Sequence, residues 1–278
     1  MKGRGMERKI VGVFKNITMT MYEHLRNFIK RIPGATITYG AVICRLRKLL
    51  FWLRGGTRYR YAFYTSSLID ALGKTKRQSH ISDHLSSLFF FALDARPKLM
   101  VELGTDVGES TRVLLAAASI TKSTLLSIDI EDCKQLPLPF KEHWHFVQSD
   151  DIGFGKAGFI EWCLHRSIEP QIDLLFIDTS HKYLHTKEEI LVWSPYLSDH
   201  AIMLFHDTNM GTGPYARMNG SIGFGLDNKR GVIKAIEEFL GRQYDEKSFF
   251  CDLTKGYLIM HYPNCNGLTI LKKYGRIV

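Results

Sequence analysis

Val101-Glu-Leu-Gly-Thr-Asp-Val-Gly-Glu-Ser-Thr111 is the most informative segment of this chain. It continues a short apolar run that begins at residue 98, and an apolar stretch with helical spacing, 113–118, follows it. A strand, a glycine turn and a helix in this order are typical of a cradle for a nucleotide-containing ligand. Glycines let the backbone approach the ligand, and the first N–H groups of a helix are free to bind it. The spacing differs from the G-x-G-x-x-G of dinucleotide sites, which disfavours a hydride-transfer enzyme.

Strands and helices alternate from residue 98 onward, which predicts an α/β fold with a doubly wound sheet. The apolar run 172–177 is typical of a parallel strand that is buried on both faces. The last two predicted strands are too close for a helical crossover, so we expect them to pair antiparallel. The predicted strands are 98–103, 124–129, 144–148, 172–177, 201–206, 247–252 and 256–261, and the predicted helices are 79–95, 109–120, 155–166, 184–194 and 229–241.

Charge is distributed unevenly along the 278 residues, whose formal net charge is +9. Residues 1–77 contain 17 Lys and Arg but 3 Asp and Glu, whereas the rest of the chain carries a net negative charge. The apolar fraction of 45% excludes an intrinsically disordered chain. We therefore predict a basic, partly helical N-terminal extension at 1–78 and a folded domain at 79–278.

The clearest element of the extension is a basic amphipathic helix predicted at 39–54, in which leucines recur at helical spacing between four Arg and Lys residues. Such a helix packs on its own domain or on a partner subunit of a homo-oligomer, or it lies on an anionic membrane surface. Cations alternate with aromatic residues at 58–64, a pattern that can stack on nucleic-acid bases. Nucleic acid is therefore a further alternative partner of the extension, although a disfavoured one.

The five cysteines are scattered without a C-x-x-C pair, which indicates free thiols in a reducing compartment. No apolar run is long enough to span a bilayer, and no cleavable signal pattern follows the basic N-terminus. We therefore expect a cytoplasmic protein, with peripheral contact at the inner membrane surface left open by the helix at 39–54.

Acidic residues stand at the ends of the predicted central strands, where open α/β sheets bind their ligands. Buried carboxylates are unfavourable unless they are paired, hydrogen-bonded or bound to a metal. The sequence therefore predicts a crevice whose ligand supplies cationic or hydroxyl partners. The residues at these strand ends are Glu102, Gly104, Asp129, Ser149, Asp150, Asp178, His206 and Asp207.

The pattern E-x-G-x-x-x-G-x-S at 102–110 resembles motif I of class I S-adenosylmethionine (SAM) methyltransferases, particularly the small-molecule O-methyltransferases. Asp106 stands where many other branches carry a middle glycine. The resemblance covers about residues 80–261, and it implies SAM as cofactor and a Rossmann-like, mostly parallel seven-stranded sheet with an antiparallel last strand. The cofactor-binding residues it implies are Glu102, Gly104, Thr105, Gly108, Ser110, Asp129, Ser149 and Asp150.

Some of these residues have alternative roles that the sequence leaves open. Glu102 supports the glycine turn in the alternative reading, and Asp129 caps a helix. Asp151 replaces Asp150 if the segment that contacts adenine is shifted by one residue.

Two further motifs, Asp178-Thr-Ser-His181 and Phe205-His-Asp-Thr208, resemble the macrocin O-methyltransferase and cephalosporin-hydroxylase-like group, whose members modify sugars and antibiotics. In similar catechol-type enzymes the first aspartate binds a divalent metal, and a lysine three residues later is the general base. His181 stands at that position, and the ordinary histidine pKa of about 6.5 suits proton transfer near neutrality.

The same resemblance implies that Asp178 and Asp207 hold Mg²⁺ or another divalent cation, with His206, Thr208 or Asn209 as the third ligand. Threonine is a poor ligand, so metal-assisted and metal-free mechanisms both stay open. Without a metal, His181 or His206 must remove the hydroxyl proton alone.

The sequence thus predicts a SAM-dependent O-methyltransferase that acts on a hydroxyl of a sugar, glycan or small natural product. One alternative is a nucleic-acid methyltransferase, although the Asn-Pro-Pro-Tyr type of motif is absent after the fourth strand. Another is a non-catalytic module that docks on a membrane or a partner. A glycine-rich stretch at 211–226 is either a substrate lid, with contacts from Tyr215, Arg217 and Asn219, or a merely flexible loop.

Overall fold

The computed structural model describes residues 68, 71, 72, 79, 81–210, 214–216, 222–224 and 230–274. The predicted helix at 39–54 and the aromatic stretch at 58–64 lie outside the described residues. Leu68 and Ala71 are buried in the core of the α/β domain. The domain boundary at residue 78 stays a prediction.

One mixed sheet of eight strands organises the described part of the chain, in the order β3-β2-β1-β4-β5-β10-β9-β8. The first five strands are parallel to one another, and β10, β9 and β8 follow in antiparallel pairs. The strands of this sheet are β1 Leu99–Leu103, β2 Thr124–Asp129, β3 Trp144–Gln148, β4 Ile172–Ile177, β5 Leu197–His206, β8 Phe250–Thr254, β9 Tyr257–Tyr262 and β10 Leu268–Lys273.

The prediction of seven strands is wrong by one strand, because β10 is absent from it. Strand β10 follows a turn at Gly267 and pairs antiparallel with both β5 and β9. Its first four residues are fully buried, as expected for a strand in the interior of a sheet. The predicted antiparallel pairing of the preceding two strands is confirmed for β8 and β9, which lie at the outer edge.

Helices cover both faces of the sheet, which confirms the doubly wound architecture. Helices α1 and α2 pack on one face against Met100 and its neighbours, and α4, α5 and α6 pack on the other face. The helices are α1 Leu85–Ala95, α2 Glu109–Thr121, α3 Asp151–Ala157, α4 Phe159–Leu164, α5 Tyr183–Trp193 and α6 Gly231–Leu240.

The single helix predicted at 155–166 is wrong, because two short helices, α3 and α4, occupy 151–164. They meet at Gly158, where a Cβ atom would lie 2.7 Å from the ring of Phe154. The helix predicted at 79–95 begins later, at Leu85. Both corrections concern helix boundaries, where local turns compete with helical periodicity.

Within the glycine-rich stretch at 211–226, two short strands form an antiparallel ribbon, β6 Pro214–Ala216 and β7 Ile222–Phe224. Tyr215 lies in β6, and the other two predicted substrate contacts, Arg217 and Asn219, lie outside the described residues. The role of this stretch as a lid stays a prediction.

Among the described cysteines, Cys133, Cys163 and Cys251 are free thiols, as expected. Across the same part of the chain, none of the helices combines the length and the apolar character that crossing a membrane requires.

Candidate active site

The glycine turn after β1 is held tightly against the end of β4. Gly104 has a φ of +87°, and a Cβ atom there would collide with the main-chain carbonyl of Asp178. The N–H of Asp178 in turn donates to the carbonyl of Leu103 at 2.9 Å. Glycine is therefore required at residue 104 for both the backbone conformation and the close approach.

Asp129, at the end of β2, fixes the other side of this turn. Its Oδ2 accepts the N–H of Thr105 at 2.7 Å and the N–H of Asp106 at 3.0 Å, while Oδ1 accepts the N–H of Glu131 at 2.9 Å. These contacts give Asp129 a defined position beside the turn. A carboxylate has about four acceptor directions, so three main-chain donors leave room for a ligand hydroxyl.

Glu102 lies beneath the turn and is fully buried. Its Oε1 accepts the hydroxyl of Ser110 at 2.7 Å, and its Oε2 accepts those of Thr111 at 2.8 Å and Ser127 at 2.6 Å. Burial raises the pKa of Glu102 to about 7, although the three hydroxyl donors oppose this rise. These contacts are those expected of a support for the turn, the alternative role that the sequence leaves open for Glu102.

Glu102 gives a prediction for the pH dependence of stability. Because its pKa is raised on folding, its stabilising contribution is complete below about pH 4.5 and is lost as the pH rises through about 7. We expect the free energy of unfolding of the wild type to fall by about 3 kcal/mol relative to Glu102→Gln across this range. Urea unfolding of both proteins at several pH values measures the difference, and two parallel pH profiles would contradict the assignment.

The start of α2 faces the glycine turn with unused hydrogen-bonding capacity. Its N-cap residue is Gly108, in the left-handed conformation, which has no side chain to cap the helix. The buried hydroxyl of Thr105 has no hydrogen-bond partner in the described structure. A polar ligand group at this helix start therefore finds both main-chain N–H donors and a hydroxyl.

Ser149 and Asp150 follow β3 at the same edge of the sheet. The N–H of Ser149 donates to the carbonyl of Asp129 at 2.9 Å, which joins the two strand ends. Asp150 caps α3 by accepting the N–H of Gly153 at 2.6 Å, and it is exposed. Asp151, by contrast, is buried and belongs to a different group of side chains.

Two aspartates and two histidines converge at the ends of β4 and β5. His181 Nε2 lies 2.7 Å from Asp207 Oδ2 and 3.5 Å from Asp178 Oδ1. His206 Nδ1 lies 3.3 Å from the same two oxygens. We call these four residues the Asp178–Asp207 cluster. The structure thus brings together all the residues that the sequence predicts for catalysis and metal binding.

The backbone at this cluster is held in unusual conformations. His181 has a φ of +59° and Asp207 a φ of +55°, both in the left-handed region that non-glycine residues occupy infrequently. Such conformations concentrate at functional sites, where the surrounding structure fixes them. Asp207 directly follows β5, and His181 lies in the loop between β4 and α5.

The charges of the cluster compensate one another. Burial alone would lower the pKa of His181, but the carboxylates of Asp207 and Asp178 raise it to about 10. The same pairing raises the pKa of His206 against the effect of burial and lowers that of Asp207. His181 is therefore an imidazolium at neutral pH in this arrangement, and it must lose its proton before it can act as a general base.

The donor set of the cluster also fits a divalent cation. Asp178, His181 and Asp207 offer ligand atoms that lie within 4.8 Å of one another. Asp207 Oδ1 is buried without a hydrogen-bond partner in the described structure, which is the state expected of an atom awaiting a ligand. The third candidate ligand in this group is therefore His181, whereas the sequence analysis names His206 as the third metal ligand.

The other two candidate ligands that follow β5 have different contacts. Thr208 Oγ1 is buried and lies 3.4 Å from Nδ1 of His261. Asn209 donates from Nδ2 to the carbonyl of Pro263 at 2.8 Å and accepts Lys247 Nζ at 2.6 Å. Both side chains are therefore engaged with the C-terminal strands.

Comparison with known proteins agrees with this geometry. Residues 101–208, which include the glycine turn and the Asp178–Asp207 cluster, match a family model described as a methyltransferase domain. The matched residues make up less than half of the chain, and they are similar to a methyltransferase domain. No protein of curated function matches the chain significantly.

Solved structures similar to this chain share little sequence with it. A candidate caffeoyl-CoA O-methyltransferase from Staphylococcus aureus is 14% identical, with a TM-score of 0.48, covering 81% of this chain and 98% of that one. A methyltransferase from Podospora anserina with bound S-adenosylhomocysteine (SAH) is 15% identical, with a TM-score of 0.45, covering 87% and 97%. The O-methyltransferase of tomaymycin synthesis from Streptomyces achromogenes, in complex with SAM, is 13% identical, with a TM-score of 0.45, covering 77% and 90%.

One group of side chains was missed by the sequence analysis. Asp151, His185 and Glu189 converge between α3 and α5. The available signal was an aspartate directly after β3 together with a histidine and a glutamate four residues apart on a helix, which share one helical face.

Proposed function

We propose that this chain transfers the methyl group of SAM to a hydroxyl group of a sugar, a glycan or a small natural product. The observation that carries the proposal is the Asp178–Asp207 cluster, which lies directly beside the glycine turn. Gly104 touches the main chain of Asp178, so a ligand on the turn and an acceptor at the cluster would be neighbours. A homo-oligomer and contact with an anionic membrane stay predictions about the N-terminal extension.

SAM supplies an electrophilic methyl group on a cationic sulfur. In the proposed complex the start of α2 and the hydroxyl of Thr105 bind its polar groups, and Asp129 accepts a ribose hydroxyl. Ser149 and Asp150 lie along the adenine. The support for this placement is the set of unsatisfied donors and acceptors at the turn and the hydrogen bonds that hold Asp129 against it.

The cluster receives the acceptor hydroxyl and its proton. A hydroxyl oxygen is a weak nucleophile until its proton is removed, and a buried site that holds carboxylates and imidazoles provides the acceptors for that proton. Asp178 and Asp207 orient His181, whose Nε2 lies beside both carboxylates. Positioning of the two reactants then accounts for much of the rate.

A divalent cation fits the same cluster, with Asp178, Asp207 and His181 as the residues that would hold it. Such a cation would lower the pKa of a bound hydroxyl. Without a cation, the imidazoles of His181 and His206 contact both carboxylates, and these contacts raise the pKa of each imidazole. His206 is then a positioning residue, because its Nδ1 contacts both carboxylates while its ring packs edge-on against His84.

The experiment that tests the proposal measures SAM binding and then SAH release. The full chain is first titrated with SAM by calorimetry, and then incubated with SAM and catechol, methyl rhamnoside or single-stranded DNA, each with Mg²⁺ or with a chelator. We expect SAM binding, SAH release with a hydroxyl probe in Mg²⁺, and less release after chelation. Failure to bind SAM, or SAH release with DNA alone, would contradict the proposal.

A further inference from the structure

A second group of potential metal ligands lies between α3 and α5 and shares no residue with the Asp178–Asp207 cluster. Asp151 stands in the first turn of α3, and His185 and Glu189 stand one turn apart on α5. His185 Nε2 lies 3.3 Å from Asp151 Oδ1 and 3.4 Å from Glu189 Oε1. We infer that Asp151, His185 and Glu189 form a binding site for Zn²⁺, distinct from the catalytic cluster.

The first argument concerns oxygen atoms that lack a partner. Glu189 is fully buried and Asp151 is more than nine-tenths buried. Glu189 Oε2 and Asp151 Oδ2 have no hydrogen-bond partner in the described structure. A buried carboxylate oxygen without a donor is destabilising. Each of the two carboxylates that flank His185 thus has one oxygen beside the imidazole and a second oxygen that is free to bind a cation.

The second argument concerns the distances. Charge-assisted N–H···O hydrogen bonds measure about 2.7–2.9 Å, so separations of 3.3 and 3.4 Å are long for a protonated His185 that bridges two carboxylates. Ligand atoms at about 2.1 Å from Zn²⁺ in tetrahedral geometry lie about 3.4 Å from one another. The spacing of the ligand atoms therefore matches a tetrahedral ion better than it matches a shared proton.

The third argument concerns rigidity. Gly155 on α3 packs against α5 so closely that a Cβ atom would lie 2.5 Å from Val192 and 2.9 Å from Trp193. Glu189 Oε1 also accepts the hydroxyl of Thr179 at 2.6 Å, which fixes the orientation of that carboxylate. The three ligands are thus held by two packed helices and by an outer hydrogen bond.

The hydrogen bond from Thr179 to Glu189 connects the proposed Zn²⁺ site to the loop that follows β4. Thr179 directly follows Asp178, so an ion on Glu189 braces the loop that carries Asp178 and His181. One imidazole and two carboxylates suit Zn²⁺ better than Mg²⁺, which prefers oxygen ligands and retains several waters. The site is therefore structural, and Zn²⁺ there stabilises the fold without taking part in methyl transfer.

The test uses the full chain and separates the two clusters by substitution. Asp207→Asn removes a ligand of the catalytic cluster, so Zn²⁺ bound by this variant reports on the second site. We expect calorimetric titration with ZnCl₂ to show one binding event and a rise in melting temperature. The double variant Asp207→Asn/His185→Gln is expected to lose both, with its metal-free melting temperature measured as the control for folding.

A Co²⁺ titration provides an independent readout, because visible absorption bands distinguish tetrahedral from octahedral coordination. A tetrahedral spectrum in Asp207→Asn that disappears in Asp207→Asn/Asp151→Asn would support the site. Equal Zn²⁺ binding with and without His185 would overturn it, as would absence of Zn²⁺ binding by folded Asp207→Asn. These results are independent of SAM binding, so this inference and the proposed function can fail separately.

Discussion

Asp207→Asn is expected to reduce the rate of SAH formation by about 10²–10⁴-fold while SAM affinity is retained. Asp207 is buried, contacts both imidazoles of the cluster and offers the unpartnered Oδ1. Asparagine keeps the shape of the side chain but removes the negative charge that orients His181 and that would help to hold a divalent cation. We expect the variant to fold, because a buried histidine that loses its counter-ion can become neutral.

The matched control is Asp199→Asn, which makes the same chemical change on β5, the strand that Asp207 follows. Asp199 lies near the opposite end of β5, and its side chain is 96% exposed. Both variants are compared by steady-state SAH release and by calorimetric titration with SAM. Turnover of Asp207→Asn equal to that of Asp199→Asn would remove Asp207 from the catalytic role, and joint loss of SAM affinity would place it in the cofactor site.

Gly104→Ala is expected to destabilise the fold by several kcal/mol and to abolish measurable SAM binding. Alanine at a φ of +87° is strained, and its Cβ would collide with the carbonyl of Asp178, which is main chain and cannot rotate away. The glycine turn and the end of β4 would have to separate. That separation displaces both the cofactor cradle and the Asp178–Asp207 cluster.

Gly241→Ala isolates the contribution of backbone strain. Gly241 has a φ of +68° at the end of α6, but the nearest atoms to an added Cβ belong to the flexible side chain of Lys255, at 3.2 Å and beyond. We expect this variant to lose about 1 kcal/mol and to bind SAM normally. Urea unfolding and SAM titration of both variants provide the comparison. Similar behaviour of the two would show that the contact with Asp178 is unimportant.

The central part of the fold was predictable because strands that are buried on both faces are recognisable in the sequence as apolar runs. Ile172–Ile177 is an example, and its predicted bounds are those of β4. Strand β10 was not predicted, because Leu268–Lys273 is short, ends in two lysines and follows a glycine turn. Its burial comes from pairing with β5 and β9, which are distant in sequence.

The candidate site was predictable to the extent that strand ends share one edge of a parallel sheet. That rule brought Asp178, His181, His206 and Asp207 together correctly. It could not give their protonation, because the pKa of His181 depends on distances to two carboxylates that only the folded chain fixes. It also missed His185 and Glu189, which lie on a helix and join Asp151 through helix packing.

Calorimetric titration of the full chain with SAM, with NAD⁺ as the comparison ligand, tests whether the glycine turn binds SAM. The glycine turn, the uncapped start of α2 and Asp129 predict binding of one SAM per chain, displacement by SAH and no binding of NAD⁺. Absence of heat with SAM, or preferential binding of NAD⁺, would contradict the account.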